Sequence, residues 1–345
     1  MFAEPDFRWR DLAWRQAAES WIHEKAAAAS RPVIGPVTGV RFLPWSAVLR
    51  APTDQGDIYF KACGPSQRHE PALAAFLAAA RPDCMIPVLA ADPAQGWLLM
   101  PDGGRTLTQA IDSPVAAPAH WRRVLELAAG VQLDLIPHAA RVMALGVLDR
   151  RPGALPGLFA AMLERPDRLL AGEPGALAAN DVDRLRALTP RVTELSADLA
   201  GIGPPETFVH DDLHEDHIFV QAAAGGEWRY CFFDYGDACV THPFMQLVSR
   251  PRFAGGRFGI EGDVVLGPLH EYYLARWTAF GSLTDLKRAL NIALALGGII
   301  RALTWVNACD GHLDELPAGL CNAYAAGVTF WLLGVERRIA SLDNG

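Results

Sequence analysis

Most of the candidate chemistry in this 345-residue chain lies in one run, His210-Asp211-Asp212-Leu213-His214-Glu215-Asp216-His217, in which every residue but Leu213 is ionisable. The run falls between Phe208-Val209 and Ile218-Phe219-Val220, two short β-prone stretches, which makes it a loop fixed at both ends by strands. Carboxylates and imidazoles at this density suit two chemistries. Phosphoryl transfer needs a carboxylate to orient an attacking hydroxyl and accept its proton, and a metal ion to neutralise phosphate charge. Asp212 and His217 suit those two needs. Metal-dependent hydrolysis would instead use His210, His214 and His217, with one or more of Asp211, Asp212 and Asp216, as a zinc or di-metal site. The H-x-x-x-H-x-x-H spacing lies between strands, however, and not on a long helix.

The elements that must position this loop can be read from texture. Trp9 to Ala29 lacks Pro and Gly and spaces Leu12, Ala18 and Ile22 for one apolar face, which predicts an opening helix. From Val33 to Met100 short β-prone runs take over. Ala47-Val48-Leu49-Arg50 and Ile58-Tyr59-Phe60-Lys61 flank the turn Asp54-Gln55-Gly56-Asp57 and predict a hairpin. Pro71 to Ala80 reads as a helix with Pro in its first turn, and Val88-Leu89-Ala90 and Trp97-Leu98-Leu99-Met100 as further strands. After Pro101-Asp102-Gly103-Gly104, which suits a hinge, the texture is helical. Trp121, Val124, Leu125 and Ala128 keep helical spacing, as do Leu286, Leu290, Ala293 and Ile300. The exception is Gly201 to Asp237, where Ile218-Phe219-Val220 and Tyr230-Cys231-Phe232-Phe233 predict strands joined by a turn at Ala222 to Gly226. The length suggests two domains, each able to bury its own core.

His210, Asp212, Leu213 and His217 match the fixed positions of the kinase catalytic loop H-x-D-L-x-x-x-N, apart from the last. Phe233-Asp234-Tyr235-Gly236-Asp237-Ala238 and Thr241-His242-Pro243 follow in order. With these two motifs the sequence resembles the aminoglycoside phosphotransferase and choline kinase superfamily, whose loop is H-G-D-L-H-x-x-N followed by I-D-[FW]-x-x-[AG]. The resemblance implies an α+β, bilobal protein-kinase-like fold with a small β-sheet N-lobe carrying a helix and a larger, mainly helical C-lobe. The expected boundaries are a helical segment over 1–30, an N-lobe over 31–101 and a C-lobe over 102–345. It also implies transfer of the γ-phosphoryl group of ATP or GTP to a small-molecule hydroxyl, with Mg²⁺ or Mn²⁺. Asp212 would be the base, Asp234 and His217 the metal ligands, and Lys61 the grip on the phosphates with Glu70 as its ion-pair partner. Arg41, in the place of the phosphate-covering loop, would contact phosphate, and Met100 and Asp102 would belong to the linker that receives the base of the nucleotide.

The chain departs from the pattern where His217 replaces the Asn ligand, because Mg²⁺ prefers oxygen. Asp211 replaces the Gly after the first His, and no G-x-G-x-x-G precedes Lys61. A catalytically weak pseudokinase is one alternative that these departures allow. The hydrolase reading is another, although it leaves Lys61 and Asp234 unexplained. A protein kinase lacks support, since the A-P-E segment and the H-R-D arginine are missing. The helices from Pro251 to Arg338, with Trp277, Trp305, Asp310 and Trp331, are expected to shape the acceptor pocket.

Composition narrows the field further. A formal net charge of −8 disfavours nucleic acid as partner and is compatible with a cationic acceptor. The six cysteines have no C-x-x-C spacing and predict buried free thiols. Glu4, Asp6 and Trp9 stand where a secretory signal would need a basic start and an apolar stretch, so the expectation is a cytoplasmic protein. The most apolar run, Ala289 to Ile300, is too short for a span and predicts a buried helix.

Overall fold

The computed structural model describes residues 9, 11–113, 115–170, 172–222, 228–248, 267–309, 313 and 316–344. The chain forms two compact units. The first is Met1–Thr106, Ile218–Gly236 and Ala308–Pro317, and the second is Leu107–His217, Asp237–Asn307 and Ala318–Gly345.

The first unit is built on an antiparallel sheet with strand order β1 (Thr38–Leu43), β2 (Ser46–Thr53), β3 (Gly56–Cys63), β5 (Trp97–Pro101), β4 (Ala90–Asp92). The β2–β3 hairpin turns at Asp54-Gln55 with Thr53 opposite Gly56, whose φ of 98° favours glycine. Side chains alternate across a strand. Ile58, Phe60 and Ala62 of β3 therefore face helix α1 (Leu12–Ala28) and join a core with Ala18, Trp21, Ile22 and Ala26. Trp21, Phe60 and Trp97 meet edge to face with ring centroids 5.5–5.7 Å apart, each contact worth about 0.5–1.5 kcal/mol beyond burial. Lys61, between Phe60 and Ala62, is sent to the other face. The expected apolar stripe on α1 needs one correction: Leu12 is 70% exposed. Six residues separate it from Ala18, which places the two on different faces, and Trp21 takes the buried position.

Helix α2 (Glu70–Ala80) begins with Glu70 followed by Pro71 and buries Leu73, Ala74 and Leu77. A second antiparallel sheet, in the order β10 (Trp228–Phe232), β9 (Ile218–Ala222), β6 (Arg105–Thr106), brings residues 218–236 back into the first unit. A single cut after residue 101 would have left this segment with the helical part. Backbone pairing explains its return. Ile86 N–H donates to the Phe232 carbonyl at 3.1 Å, Phe232 N–H donates to the Cys84 carbonyl at 2.8 Å, and β9 pairs with β6. Four residues of the Ala222–Gly226 turn, 223–226, lie outside the described residues, as do Pro251 and Asp310.

The second unit is mainly helical. Helix α3 (Ala117–Leu135) buries Trp121, Val124, Leu125 and Ala128, the stripe its spacing predicts. A small sheet of β7 (Leu148–Asp149), β11 (Cys239–Thr241) and β8 (Thr207–Val209) fixes the start of the ionisable loop, because β8 ends at Val209 and Val209 pairs with Cys239. Among the described residues two helices, α4 (Leu283–Cys309) and α5 (Ala318–Asp343), are long and apolar enough to cross a membrane, by length and composition only. Of their most apolar windows, 83% is buried within the protein in α4 and 28% in α5. The run Ala289–Ile300 lies in α4, with Ala289, Leu290, Ala293, Leu296, Ile299 and Ile300 all buried.

His242 follows β11 and closes the start of the turn Pro243–Leu247, where its Nδ1 accepts from Phe244 N–H at 3.3 Å. Burial pushes its pKa down from 6.5 to about 4, so the imidazole is neutral in the folded protein. A depressed folded pKa means that this contribution is complete above pH 6.5 and is lost as pH falls through about 4. At about 1.4 kcal/mol per pH unit between 6.5 and about 4, the loss at pH 4 amounts to about 3 kcal/mol. His242→Asn retains an acceptor for Phe244 N–H but takes up no proton. Urea unfolding at pH 7.5 and pH 4 should show a smaller acid loss for this variant than for wild type. Equal losses would refute the assignment.

Candidate active site

Among the described residues, each unit carries a cluster of buried ionisable groups. In the first unit the centre is Lys61. Its Nζ lies 2.8 Å from Glu70 Oε1, 2.6 Å from Glu70 Oε2 and 2.7 Å from Asp234 Oδ1. Strand β3 supplies the lysine, the first residue of α2 supplies Glu70, and the loop after β10 supplies Asp234. Burial alone would push the Lys61 pKa down, but Asp234 and Glu70 outweigh it and raise it above its ordinary value, so the amine is charged at neutral pH. Burial pushes the Glu70 carboxyl upward against the pull of Lys61. Cys63, also buried and pushed up by burial, stays a thiol and donates to Glu70 Oε2 at 3.3 Å.

Asp234 adopts φ 66°, a left-handed conformation uncommon outside glycine but tolerated by Asp. From that turn its Oδ1 meets Lys61 while the next backbone N–H, of Tyr235, donates to Glu70 Oε1 at 3.1 Å. Gly236 lies close to the end of the Gln67 side chain, which a Cβ there would meet at 2.5 Å and have to displace. Arg41 of β1 is half exposed, with Nη2 3.7 Å from Asp234 Oδ2. Met100 pairs with Tyr59 between β5 and β3. Asp102 donates its N–H to the Asp57 carbonyl and accepts from Gly104 N–H at 2.8 Å.

In the second unit the centre is Asp212. Asp211 adopts φ 62°, and Asp212 N–H donates back to the His210 carbonyl at 2.8 Å, which makes a tight turn at Asp211. Asp212 Oδ1 accepts from Arg301 Nη2 at 2.8 Å, and Oδ2 faces His214 Nε2 at 3.5 Å and His217 Nδ1 at 3.6 Å. His217 Nδ1 lies 2.8 Å from the Asp212 carbonyl, and His214 Nδ1 accepts from Asp216 N–H at 3.3 Å, so both rings shape the loop. Asp216 also accepts from Thr108 Oγ1 at 2.6 Å, while Glu215 is fully buried.

Sequence reasoning missed Arg301 of α4, together with Thr304 and Arg150. Arg301 Nη1 donates to the Asp211 carbonyl at 2.8 Å and to Asp211 Oδ2 at 3.1 Å, and Asp237 Oδ2 is 4.0 Å away. Thr304 Oγ1 donates to Asp211 Oδ2 at 2.8 Å, and Arg150 Nη1 lies 3.8 Å from the same oxygen. Burial alone would lower the Arg301 pKa, but Asp212, Asp211 and Asp237 more than reverse it. The available signal was an arginine ending an apolar run, set beside the extra carboxylate Asp211.

The donor sets differ in chemistry. Asp234 offers a carboxylate oxygen, the kind of ligand Mg²⁺ takes. Asp212, His214 and His217 can bring one ligand atom each within 4.8 Å of one another, a nitrogen-rich set better suited to zinc or another transition metal. Asp234 and His217, which the resemblance joins as metal ligands, stand in different units, each with the partners described above.

The model of the phosphotransferase enzyme family (APH) matches residues 53–262. The chain belongs to this family. No curated protein matches it in sequence. Among solved structures, a choline/ethanolamine kinase family protein from Mesorhizobium loti is 17% identical, with 93% of this chain and 98% of that one covered and a TM-score of 0.54. Plasmodium vivax ethanolamine kinase is 10% identical, with 94% and 91% covered and a TM-score of 0.58. The GDP and kanamycin complex of APH(2")-IIia is 14% identical, with 94% and 98% covered and a TM-score of 0.56. At these identities the likeness shows the fold, which is protein-kinase-like. Membership places the chain among phosphotransferases.

Glu70 is the buried counter-charge of a buried lysine in this phosphotransferase, and removal of one partner from such a pair typically costs about 3–5 kcal/mol. Asp234 remains beside Lys61 in Glu70→Ala, so the expected loss in urea unfolding is about 2–3 kcal/mol. A loss indistinguishable from zero would contradict the structural part assigned to the pair.

Proposed function

We propose that this phosphotransferase moves the γ-phosphoryl group of ATP or GTP to a hydroxyl of a small molecule, with Asp212 as the general base. The observation that carries the reading is the Lys61 ammonium fixed at 2.6–2.8 Å by Glu70 and at 2.7 Å by Asp234. A charged amine on a partly exposed carboxylate, in a sheet-and-helix unit of kinase-like fold, suits α- and β-phosphates together with the cation that accompanies them. Lys61, oriented by Glu70, neutralises phosphate charge, and Arg41 adds a second cation. Asp234 supplies the oxygen ligand for a divalent metal, which when bound offsets charge on the phosphates. GDP in the complex of a structural relative supports a nucleotide donor. Met100 and Asp102 are assigned to the segment that receives the nucleotide base.

Asp212 orients the acceptor hydroxyl and takes its proton as the new O–P bond forms. The β–γ bridging bond breaks, and its electron pair leaves with the nucleoside diphosphate. Phosphoryl transfer asks mainly for positioning and charge stabilisation.

A second reading rests on the ligand atoms of Asp212, His214 and His217, which lie within 4.8 Å of one another and would hold zinc in a hydrolase. Arg301, at 2.8 Å from Asp212, opposes a further cation on that carboxylate.

Nucleoside diphosphate release from ATP or GTP, measured across pooled aminoglycosides, sugars, amino alcohols and amino acids, tests the proposal. Acceptor-dependent release should fall about 10²–10⁴-fold in Asp212→Asn with the fold retained. Near-normal turnover in that variant would exclude Asp212 as base. Asp234→Asn should lose metal-dependent nucleotide binding by calorimetry, and unchanged binding would remove its assigned role. Tightly held zinc without nucleotide binding would favour the hydrolase.

A further inference from the structure

A guanidinium buried in an apolar helix is expensive, and replacing such ion pairs by apolar groups is often neutral or stabilising. Arg301 is 3% exposed, follows the apolar run of α4, and has its guanidinium carbon 5.8 Å from the centre of the Trp331 ring. Stability alone therefore gives little reason for it. Its two terminal nitrogens divide their work. Nη1 is taken by the carbonyl and carboxylate of Asp211, and Nη2 reaches Asp212 Oδ1. Asp211 is fully buried and stands where the family pattern has Gly, at a φ of 62° that glycine adopts more easily. An acidic residue was accepted at a strained backbone position and surrounded by Arg301, Thr304 Oγ1 and, at 3.8 Å, Arg150. The pair Asp211/Arg301 reads as one device, in which Asp211 anchors a guanidinium whose remaining arm acts on Asp212.

That arm fixes one oxygen of the carboxylate to a rigid helix and leaves the other, Oδ2, on the side of His214 and His217. We propose that Arg301 is a positioning residue for Asp212, holding Oδ1 so that Oδ2 is the oxygen presented to the acceptor hydroxyl, with Asp211 as the counter-charge that allows the guanidinium to be buried. The proposal rests on Asp212 as base. In the transfer step the hydroxyl proton passes to Oδ2, the hydroxyl oxygen forms the bond to phosphorus, and the electron pair of the broken bond leaves on the diphosphate. A fixed, ionised carboxylate suits a reaction that needs orientation more than strong proton affinity.

The charged and titratable groups around this arrangement are Arg301 on α4, His214, His217 and Asp211 on the loop, Arg150 after β7, Cys239 on β11 and Asp237 before it. Two variants separate positioning from burial. Asp211→Gly with Arg301→Leu removes both members of the device together and relieves the left-handed backbone, so it should fold. Arg301→Lys keeps a positive charge but loses the fork that spans two carboxylates.

In the folded double variant kcat should fall at least tenfold with nucleotide KM within twofold of wild type, and a crystal structure should show the Asp212 carboxylate rotated from its wild-type orientation. Arg301→Lys should also lose kcat at unchanged nucleotide KM, since an ammonium cannot span both carboxylates. Wild-type kcat in the folded double variant would overturn the proposal, as would full kcat in Arg301→Lys or an Asp212 carboxylate that keeps its orientation without Arg301. A rotated carboxylate in a protein whose wild type transfers phosphate to no acceptor would uphold the action of Arg301 on Asp212 while removing the phosphotransfer reading on which its catalytic meaning depends.

Discussion

A buried ammonium must be neutralised within hydrogen-bonding distance, and the first unit is arranged around that demand. Lys61 satisfies it with two carboxylates from different elements, Glu70 at the start of α2 and Asp234 after β10. The aromatic core on the other face of β3 makes the placement unavoidable, because alternation sends Phe60 into the packing of Trp21 and Trp97 and Lys61 away from it. The backbone left-handed turn at Asp234 lets one short segment serve Lys61 through a side chain and Glu70 through the Tyr235 N–H. Non-glycine residues with positive φ are rare, and among the described residues two of the four are Asp211 and Asp234. Local strain of this kind persists where surrounding contacts over-determine it.

The second unit answers a related demand with opposite charges. Two adjacent buried carboxylates, Asp211 and Asp212, would repel each other without a cation, and Arg301 bonds both. The small sheet of β7, β11 and β8 fixes where the loop begins, while α4 fixes the guanidinium. Asp212 is thus held from the chain side and from the side-chain side. Chemistry that depends on orientation benefits from both restraints.

Much of this was legible from residues alone. The loop His210–His217, the later Asp234 and the strand lysine with Glu70 nearby are recognisable because their spacing follows from local structure: a strand, a tight loop, a strand. The β2–β3 hairpin and the helical stripe from Trp121 to Ala128 were legible for the same reason. Leu12 was misread because a six-residue interval falls between helical repeats, and the true buried partner, Trp21, is also compatible with a surface position. The return of residues 218–236 to the first unit depends on backbone bonds between Phe232 and the segment at Cys84–Ile86, which carry no side-chain signature. Arg301 lies about ninety residues downstream of its partners, on a helix whose pattern speaks only of burial. Its mark in the sequence was indirect, an aspartate where the resemblance has glycine.

Transfer of the γ-phosphoryl group to an acceptor is observed directly by ³¹P NMR of the purified protein with ATP or GTP, divalent metal and the acceptor pools. Transfer to a small-molecule hydroxyl predicts a new phosphomonoester resonance that appears only with a hydroxyl-bearing acceptor and grows as nucleoside diphosphate accumulates. Nucleotide consumption with inorganic phosphate as the sole product, whichever acceptor is supplied, would contradict it.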